Sequence, residues 1–225
     1  MAEKTYHEQE RNKCTLELRE LQNELPKFLR DYFRGIENST APRTQIGYAI
    51  DLRTFFEFVK DNNSTYRDID MHDIGIDILS QLNAQDIEEY LDYLKYYVKN
   101  GHEYTNDERA IKRKLSALRS MYNYFHKKRI IDENPVLQVD MPKLHKKQII
   151  RLDNDEVDDL LNVVESGDRL TKKQAECHDK LKVRDMAILT LLLGTGMRVS
   201  ECVGINLADV SMYVDAQIAA MNVNG

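Results

Sequence analysis

Residues 105–125 read TNDERAIKRKLSALRSMYNYF and carry the plainest fold signal in the chain. Apolar side chains recur there at three- and four-residue spacing, which is typical of an amphipathic helix with one buried face. The predicted buried stripe consists of Ile111, Leu115, Leu118, Tyr122 and Phe125. Thr105 and Glu108 stand three residues apart before this stripe, and that spacing predicts a capping box at the start of the helix.

The opposite face of the same helix is basic and polar. It is predicted to carry Arg109, Lys112, Arg113, Ser116 and Ser120. Such a face favours contact with a phosphate backbone or a major groove, although a merely solvated basic face has the same pattern. The net charge of −6 hides an uneven distribution, because residues 109–147 hold eleven Lys and Arg and only three acids. Residues 153–168 hold seven acids and no base, so the local charge rather than the total decides which partners fit.

Helical periodicity extends over most of the chain and predicts a mainly α fold. Besides residues 105–125, the predicted helices cover about residues 7–37, 42–61, 83–99, 153–164 and 182–193. Asn83 is the predicted cap of one of them, and Asn100-Gly101 is its predicted end. Pro26 either divides the first stretch into two helices or marks a first turn. Residues 166–180 are polar and fit either an inserted loop or a solvated helix, whereas residues 182–193 are expected to be buried.

A second candidate site lies in LGTGMRVSE, residues 193–201. Two glycines interrupt a helix, and Arg198 then opens a new one. An arginine offers a fixed fork of donors that matches the oxygens of a phosphate, and Glu201 stands three residues on, where it can orient that arginine. The alternative is an ordinary helix–turn–helix junction with a surface ion pair. Past Asp209 the sequence alternates in a β-like manner.

Several other classes of protein lack support in the sequence. The six histidines show no HxxxH or HExxH spacing, and the three cysteines are widely separated, so we expect neither a metal nor another cofactor. The first residues lack the apolar core of a secretory signal. The longest strongly apolar run, residues 186–193, is too short to cross a bilayer. These observations predict a cytoplasmic protein without a membrane partner.

Three motifs resemble those of tyrosine recombinases, the phage-integrase family. Residues 184–201, RDMAILTLLLGTGMRVSE, are similar to the family's first catalytic-arginine motif. Residues 112–125 resemble the last main helix of its core-binding domain. Residues 44–56 are similar to an earlier helix of that domain. The motifs occur in family order and cover about residues 24–210.

The resemblance implies a fold and a division into domains. The expected fold is mainly α, with a helical SAM-like core-binding domain followed by the N-terminal part of the α+β catalytic domain. We expect an N-terminal helical extension at residues 1–23 and a DNA-clasping core-binding domain at 24–137. A basic linker is expected at 138–151, and the start of an incomplete catalytic domain at 152–225.

The resemblance also implies an activity. The family's members bind duplex DNA and cut and rejoin it through a 3′-phosphotyrosyl intermediate, working with other protomers in a tetrameric synapse. Arg198 is expected to hold the scissile phosphate, with Glu201 supporting it. The expected DNA contacts are Arg43, Thr44, Arg109, Lys112, Arg113, Lys114, Ser116, Lys146 and Lys147. A site-specific recombinase or integrase of this kind would act in the cytoplasm, at the nucleoid.

The family's other catalytic residues find no match. No lysine follows Lys182, no arginine follows Arg198 and no histidine follows His178. Tyr213 comes too soon after Arg198 to match the family's nucleophile. We therefore expect the chain to be a fragment that binds DNA without cleaving it. The alternative is a non-enzymatic DNA-binding module that uses the same helical clasp.

Overall fold

The computed structural model is mainly α, as the sequence predicts. It describes residues 5–145, 151–168, 170–206 and 209. The chain divides into two compact units, residues 1–146 and residues 147–225.

The described part of the first unit consists of helices and one β-hairpin. Its elements are α1 (Tyr6–Asn23), α2 (Leu29–Ile36), α3 (Pro42–Asn62), α4 (Ile78–Gln81), α5 (Ala84–Tyr93), β1 (Tyr96–Lys99), β2 (His102–Thr105) and α6 (Glu108–Lys127). Short 3₁₀ turns occur at Met71–Asp73 and Pro135–Leu137. Of the two possibilities for Pro26, the structure has the first, since residues 24–28 separate α1 from α2. Pro42 occupies the first turn of α3, where the missing N–H costs nothing.

The core of the first unit is rich in aromatic side chains that converge on α6. All five residues of the predicted stripe are buried. Phe125, near the end of that stripe, meets Phe28 edge to face with ring centroids 5.6 Å apart. Tyr32 and Phe56 are fully buried nearby. Burying one such side chain is worth about 1.5–3 kcal/mol, so the stripe fixes which face of α6 points outward.

The helix predicted over residues 83–99 is wrong beyond Tyr93. Asn83 caps α5 as expected, but β1 and β2 then form an antiparallel hairpin in which Lys99 faces His102. Asn100 and Gly101 both have positive φ, 52° and 77°, as a two-residue type I′ turn requires. The aromatic and β-branched residues of β1 fit a strand better than a helix.

The predicted cap of α6 is also wrong, by two residues. Thr105 belongs to β2, and the N-cap of α6 is Asp107. The carboxylate of Asp107 accepts a hydrogen bond of 2.9 Å from the amide of Ala110. Aspartate is among the most favourable residue types at an N-cap. Thr105 cannot cap the helix because it is paired in the hairpin, two residues before Asp107.

The described part of the second unit contains three helices. They are α7 (Asn154–Ser166), α8 (Lys172–Thr195) and α9 (Val199–Val203). Asp153 caps α7 in a capping box with Glu156, at the place where the sequence predicts that this helix begins. The polar segment 166–180 is largely helical, since α8 begins at Lys172.

The prediction that residues 182–193 are buried is wrong. These residues lie in α8, and none of the described residues of that helix is buried. Ile188 and Leu193 are each about two-fifths exposed. Among the described residues, α8 has α7 and α9 as its main packing partners, which are too few to cover a helix on all sides. The β-like alternation predicted after Asp209 lies outside the described residues.

None of the helices in the described ranges is both long and apolar enough to span a bilayer.

The position of the α6 cap is open to a direct test. We predict that Asp107→Ala lowers the free energy of unfolding of the first unit by about 1 kcal/mol, because it leaves an amide at the helix start without its acceptor. Thr105→Ala is the matched control and should cost much less, since that hydroxyl is exposed on a strand. Urea denaturation followed by far-ultraviolet circular dichroism measures both. A larger loss for Thr105→Ala would place the cap at Thr105.

Candidate nucleic-acid interface

The outward face of α6 carries cationic side chains at helical spacing. Arg109 and Arg113 are exposed, and Lys112 is half-buried. The aromatic core lies against the opposite face, so these three cations point away from it. Together they form a basic surface of the kind that contacts a phosphate backbone.

The two serines predicted on this face take up local hydrogen bonds. Ser116 donates to the backbone carbonyl of Lys112 at 2.9 Å. The hydroxyl of Ser120 accepts a hydrogen bond of 2.9 Å from Tyr32. Ser120 is therefore turned toward α2, and the basic surface ends one turn earlier, near Ser116.

A buried carboxylate joins α3 to the basic surface. Asp51 is only 1% exposed. Its Oδ2 lies 2.5 Å from Nη1 of Arg113, and its Oδ1 lies 3.2 Å from Nζ of Lys114. Two consecutive residues of α6 thus converge on a single carboxylate of α3.

The electrostatics of this cluster are set by burial. Burial raises the pKa of Asp51, and the ammonium of Lys114 and the guanidinium of Arg113 act against that rise. An unpaired carboxylate in the interior would cost several kcal/mol. The two cations are therefore what allows a charged aspartate at this place.

The expected DNA contact at Lys114 does not fit its position. Lys114 is 6% exposed and lies among the buried residues of α6. Its ammonium is bound to Asp51, so it is not available at the surface. Lys114 supports the packing of α3 against α6 instead.

The beginning of α3 lies beside Arg113. A Cβ added at Gly47 would be 3.7 Å from Nη1 of Arg113, so the guanidinium rests over the backbone of α3. Arg43 and Thr44, in the first turn of that helix, are exposed. The structure therefore brings the start of α3 toward the basic surface of α6.

The described part of the predicted linker returns to α6. Arg119 donates from Nη2 to the carbonyl of Val139 at 2.6 Å. Nδ1 of His145 lies 2.8 Å from Oε1 of Glu108, and this hydrogen bond holds the pKa of Glu108 below its usual range. Lys146 and Lys147, also expected to contact DNA, lie outside the described residues.

Arg198 is placed by a tight turn in the second unit. Gly196 ends α8 with a φ of 66°, a left-handed conformation that glycine adopts without a steric cost. Arg198 is then the extended N-cap of α9. The break before Arg198 and the new helix after it are as the sequence predicts, but the break begins only at Gly196, because Gly194 and Thr195 still belong to α8.

Glu201 holds Arg198 in two ways. The backbone amide of Arg198 donates to Oε2 of Glu201 at 2.8 Å. Nη1 of the Arg198 side chain donates to Oε1 of Glu201 at 2.9 Å. These two hydrogen bonds hold the pKa of Glu201 below its usual range. The side chain of Arg198 is 81% exposed, so donors of its fork remain on the solvent side for an anion.

A metal centre finds no support in the described part of the chain. No group of three or more His, Cys, Asp or Glu side chains there could hold a metal ion.

Sequence reasoning missed Asp51, the buried acid that binds Arg113 and Lys114. Its partners stand 62 and 63 residues away, and no local period connects them. One signal was available, because Lys114 directly precedes Leu115 on the apolar side of α6. A lysine at such a position calls for a buried acid elsewhere.

Comparisons with known proteins agree with the resemblance. Residues 150–219 match the model of the phage integrase family. The chain is 34% identical over 193 residues to tyrosine recombinase XerC of Caldanaerobacter subterraneus, a match that covers 83% of this chain and 49% of the relative. It is 33% identical over 121 residues to XerC of Bacillus subtilis, covering 54% of this chain and 36% of that protein.

A XerD protein is also similar. The chain is 28% identical over 183 residues to tyrosine recombinase XerD of Oceanobacillus iheyensis, covering 81% of this chain and 52% of the relative. This chain therefore spans about half the length of these two curated relatives. No solved structure gives a significant match. The turn before Arg198, the helix that precedes it and the similarity to these relatives together place the chain in the tyrosine recombinase family.

Proposed function

We propose that this chain binds duplex DNA through the outward face of α6 and the start of α3. The observation that carries the proposal is the separation of the two faces of α6. One face is buried in an aromatic core, and the other presents Arg109, Lys112 and Arg113. A rigid helix that is anchored in this way can hold cations in register with successive phosphates. Arg43 and Thr44 extend the same surface from α3, and we expect Lys146 and Lys147 to add to it.

We propose that Arg198 binds the phosphate at which DNA is cut and rejoined. Its guanidinium is exposed, and Glu201 fixes its direction through two hydrogen bonds. A fork of donors held in this manner neutralises the non-bridging oxygens of a phosphate as their charge grows in the transition state. Glu201 acts through Arg198 and is a positioning residue.

The reaction we propose for the whole protein is the transfer of a DNA strand to a tyrosine. The hydroxyl of the tyrosine attacks the scissile phosphodiester, so that a 3′-phosphotyrosyl bond forms and a 5′-hydroxyl leaves. A second hydroxyl then reverses the step on a new partner strand. The covalent link preserves the energy of the phosphodiester, so rejoining needs no ATP.

Partners and organisation follow from the same proposal. Strand exchange between two duplexes requires several active sites, and we propose that further protomers assemble on the DNA, four in a complete synapse. The proposed place of action is the cytoplasm, at the nucleoid. We also propose that the α6-containing domain ends near residue 137 and that residues 138–151 join it to the catalytic part.

The proposed DNA surface can be tested by its dependence on salt. We predict that Arg109→Ala with Lys112→Ala weakens binding to a fluorescently labelled duplex of mixed sequence. Each neutralised phosphate contributes about −0.9 to the slope of log affinity against log salt, so the slope should flatten by up to about 1.8. Fluorescence anisotropy at several KCl concentrations measures it. Arg113 is left in place because it also supports Asp51.

A matched control removes two exposed cations from α1. Arg11→Ala with Lys13→Ala changes the net charge equally and should leave the slope close to that of the unmodified chain. Thermal unfolding verifies that both double variants fold. An equal loss in the two variants would mean that binding follows net charge alone, and the surface of α6 would lose its special role.

DNA cleavage by this chain is tested with a nicked duplex that traps phosphotyrosyl adducts. We predict that the 225-residue chain gives no covalent band on a denaturing gel with a pool of such duplexes of randomised sequence. Arg198 supplies only one part of the charge stabilisation, and attack and leaving-group protonation need further groups in the same place. The sequence after Arg198 contains no Lys, Arg or His and only one tyrosine, Tyr213.

A full-length relative such as the Caldanaerobacter recombinase serves as the positive control with the same pool. An adduct on this chain, mapped by mass spectrometry to Tyr213 or to another residue, would contradict the prediction and relocate the active site.

A further inference from the structure

The cluster around Asp51 contains two cations, although one is enough to balance the charge of a single carboxylate. One carboxylate, at 1% exposure, is bound by both Lys114 and Arg113. Lys114 is buried and can serve only the interior. The side chain of Arg113 is 51% exposed, so the surplus positive charge of the cluster reaches solvent through this arginine.

The geometry divides the guanidinium of Arg113 into two halves. Nη1 faces inward, since it contacts Oδ2 of Asp51 at 2.5 Å and rests over Gly47. A guanidinium has five donors in a planar fork. With one nitrogen held by Asp51, the donors on the exposed side keep a fixed direction, at the seam between α3 and α6.

Stability alone is a weak reason for such a cluster. Replacing a buried ion pair by apolar residues of similar volume is often neutral or stabilising. Lys114 alone is enough to neutralise the carboxylate and to fix the register between α3 and α6, so the second base has a further use, the placement of a group. Here the group is an exposed arginine that lies over Gly47, about one turn along α3 from Thr44.

We propose that Asp51 is a positioning residue for DNA binding, which orients Arg113 toward one backbone phosphate at the seam of α3 and α6 while Lys114 neutralises the carboxylate inside. This proposal rests on the proposed function, because it assigns a phosphate to the surface described there. Arg113 makes the contact, and Asp51 acts only through Arg113.

The test removes the buried pair without leaving an unpaired charge. Asp51→Asn combined with Lys114→Met retains similar side-chain volumes and is expected to fold. In this background Arg113 loses the charged acceptor that directs it, because the amide oxygen of asparagine is neutral and binds a guanidinium more weakly than a carboxylate does. We expect the affinity for the same labelled duplex to fall about tenfold, the usual range for loss of a hydrogen bond between charged groups. We also expect the salt slope to flatten by about 0.9.

A double-mutant cycle separates positioning from packing. Arg113→Gln should weaken binding about tenfold in the unmodified chain and have little further effect in the Asp51→Asn/Lys114→Met background. Lys112→Ala, on the same helix but not in contact with Asp51, should have the same effect in both backgrounds. Additive losses for Arg113→Gln would mean that Asp51 does not act through Arg113, and the proposal would be overturned.

Arg113→Lys provides an independent test that leaves Asp51 and Lys114 in place. A lysine retains the charge but lacks the fork that can serve a carboxylate and a phosphate together. Its affinity should fall close to that of Arg113→Gln, and affinity equal to that of the unmodified chain would overturn the proposal even if the Asp51 variant did not fold. If the unmodified chain shows no salt-dependent binding to duplex DNA, the proposed function itself fails. If it binds and only the cycle is additive, the proposed function stands without this inference.

Discussion

The contact between α3 and α6 is the constraint on which the rest of the first unit depends. It combines an apolar seam, where hydrophobic side chains pack, with a single buried carboxylate, Asp51. The two kinds of contact restrict the position of one helix along the other to different degrees. The apolar seam tolerates small slips of one helix along the other, because dispersion forces have little direction. The carboxylate does not, since it must meet Lys114 and Arg113 at hydrogen-bonding distance. One polar contact in an aromatic core thus fixes the register between two helices.

The second unit is held together by other means in its described part. A capping box at Asp153, the hydrogen bond from the amide of Arg198 to Glu201, and left-handed glycines at 167 and 196 define where its helices begin and end. These are local devices, each worth about 1 kcal/mol or less. They place Arg198 on a sharp turn without a large core beneath it. Local hydrogen bonds are therefore sufficient to orient the arginine, although they leave much of α8 open to solvent.

Sequence patterns led to correct predictions where a pattern is compatible with only one local structure. The stripe of α6 and the turn before Arg198 were both predictable, because the 3.6-residue period and paired glycines leave few alternatives. Prediction from the sequence failed at Asn100-Gly101, since the same dipeptide both ends helices and builds type I′ turns. The predicted capping box at Thr105 was wrong because Thr105 belongs to strand β2 of the hairpin. Asp51 could not be placed at all, as its partners are more than sixty residues away along the chain.

The neutralisation of Asp51 by Lys114 also explains how a protein with a net negative charge can present a locally basic surface. Exposed charges are screened over about 8–10 Å at ordinary salt, so a distant acid weakens a cation less than a near one does. Asp51 contacts the basic surface directly through Arg113, yet it is out of solvent and its charge is neutralised by Lys114. Glu108, which precedes Arg109, is hydrogen-bonded to His145. Arg109, Lys112 and Arg113 therefore dominate the local field, whatever the total of −6 suggests. For a partner with closely spaced phosphates, that local balance is the quantity that governs binding.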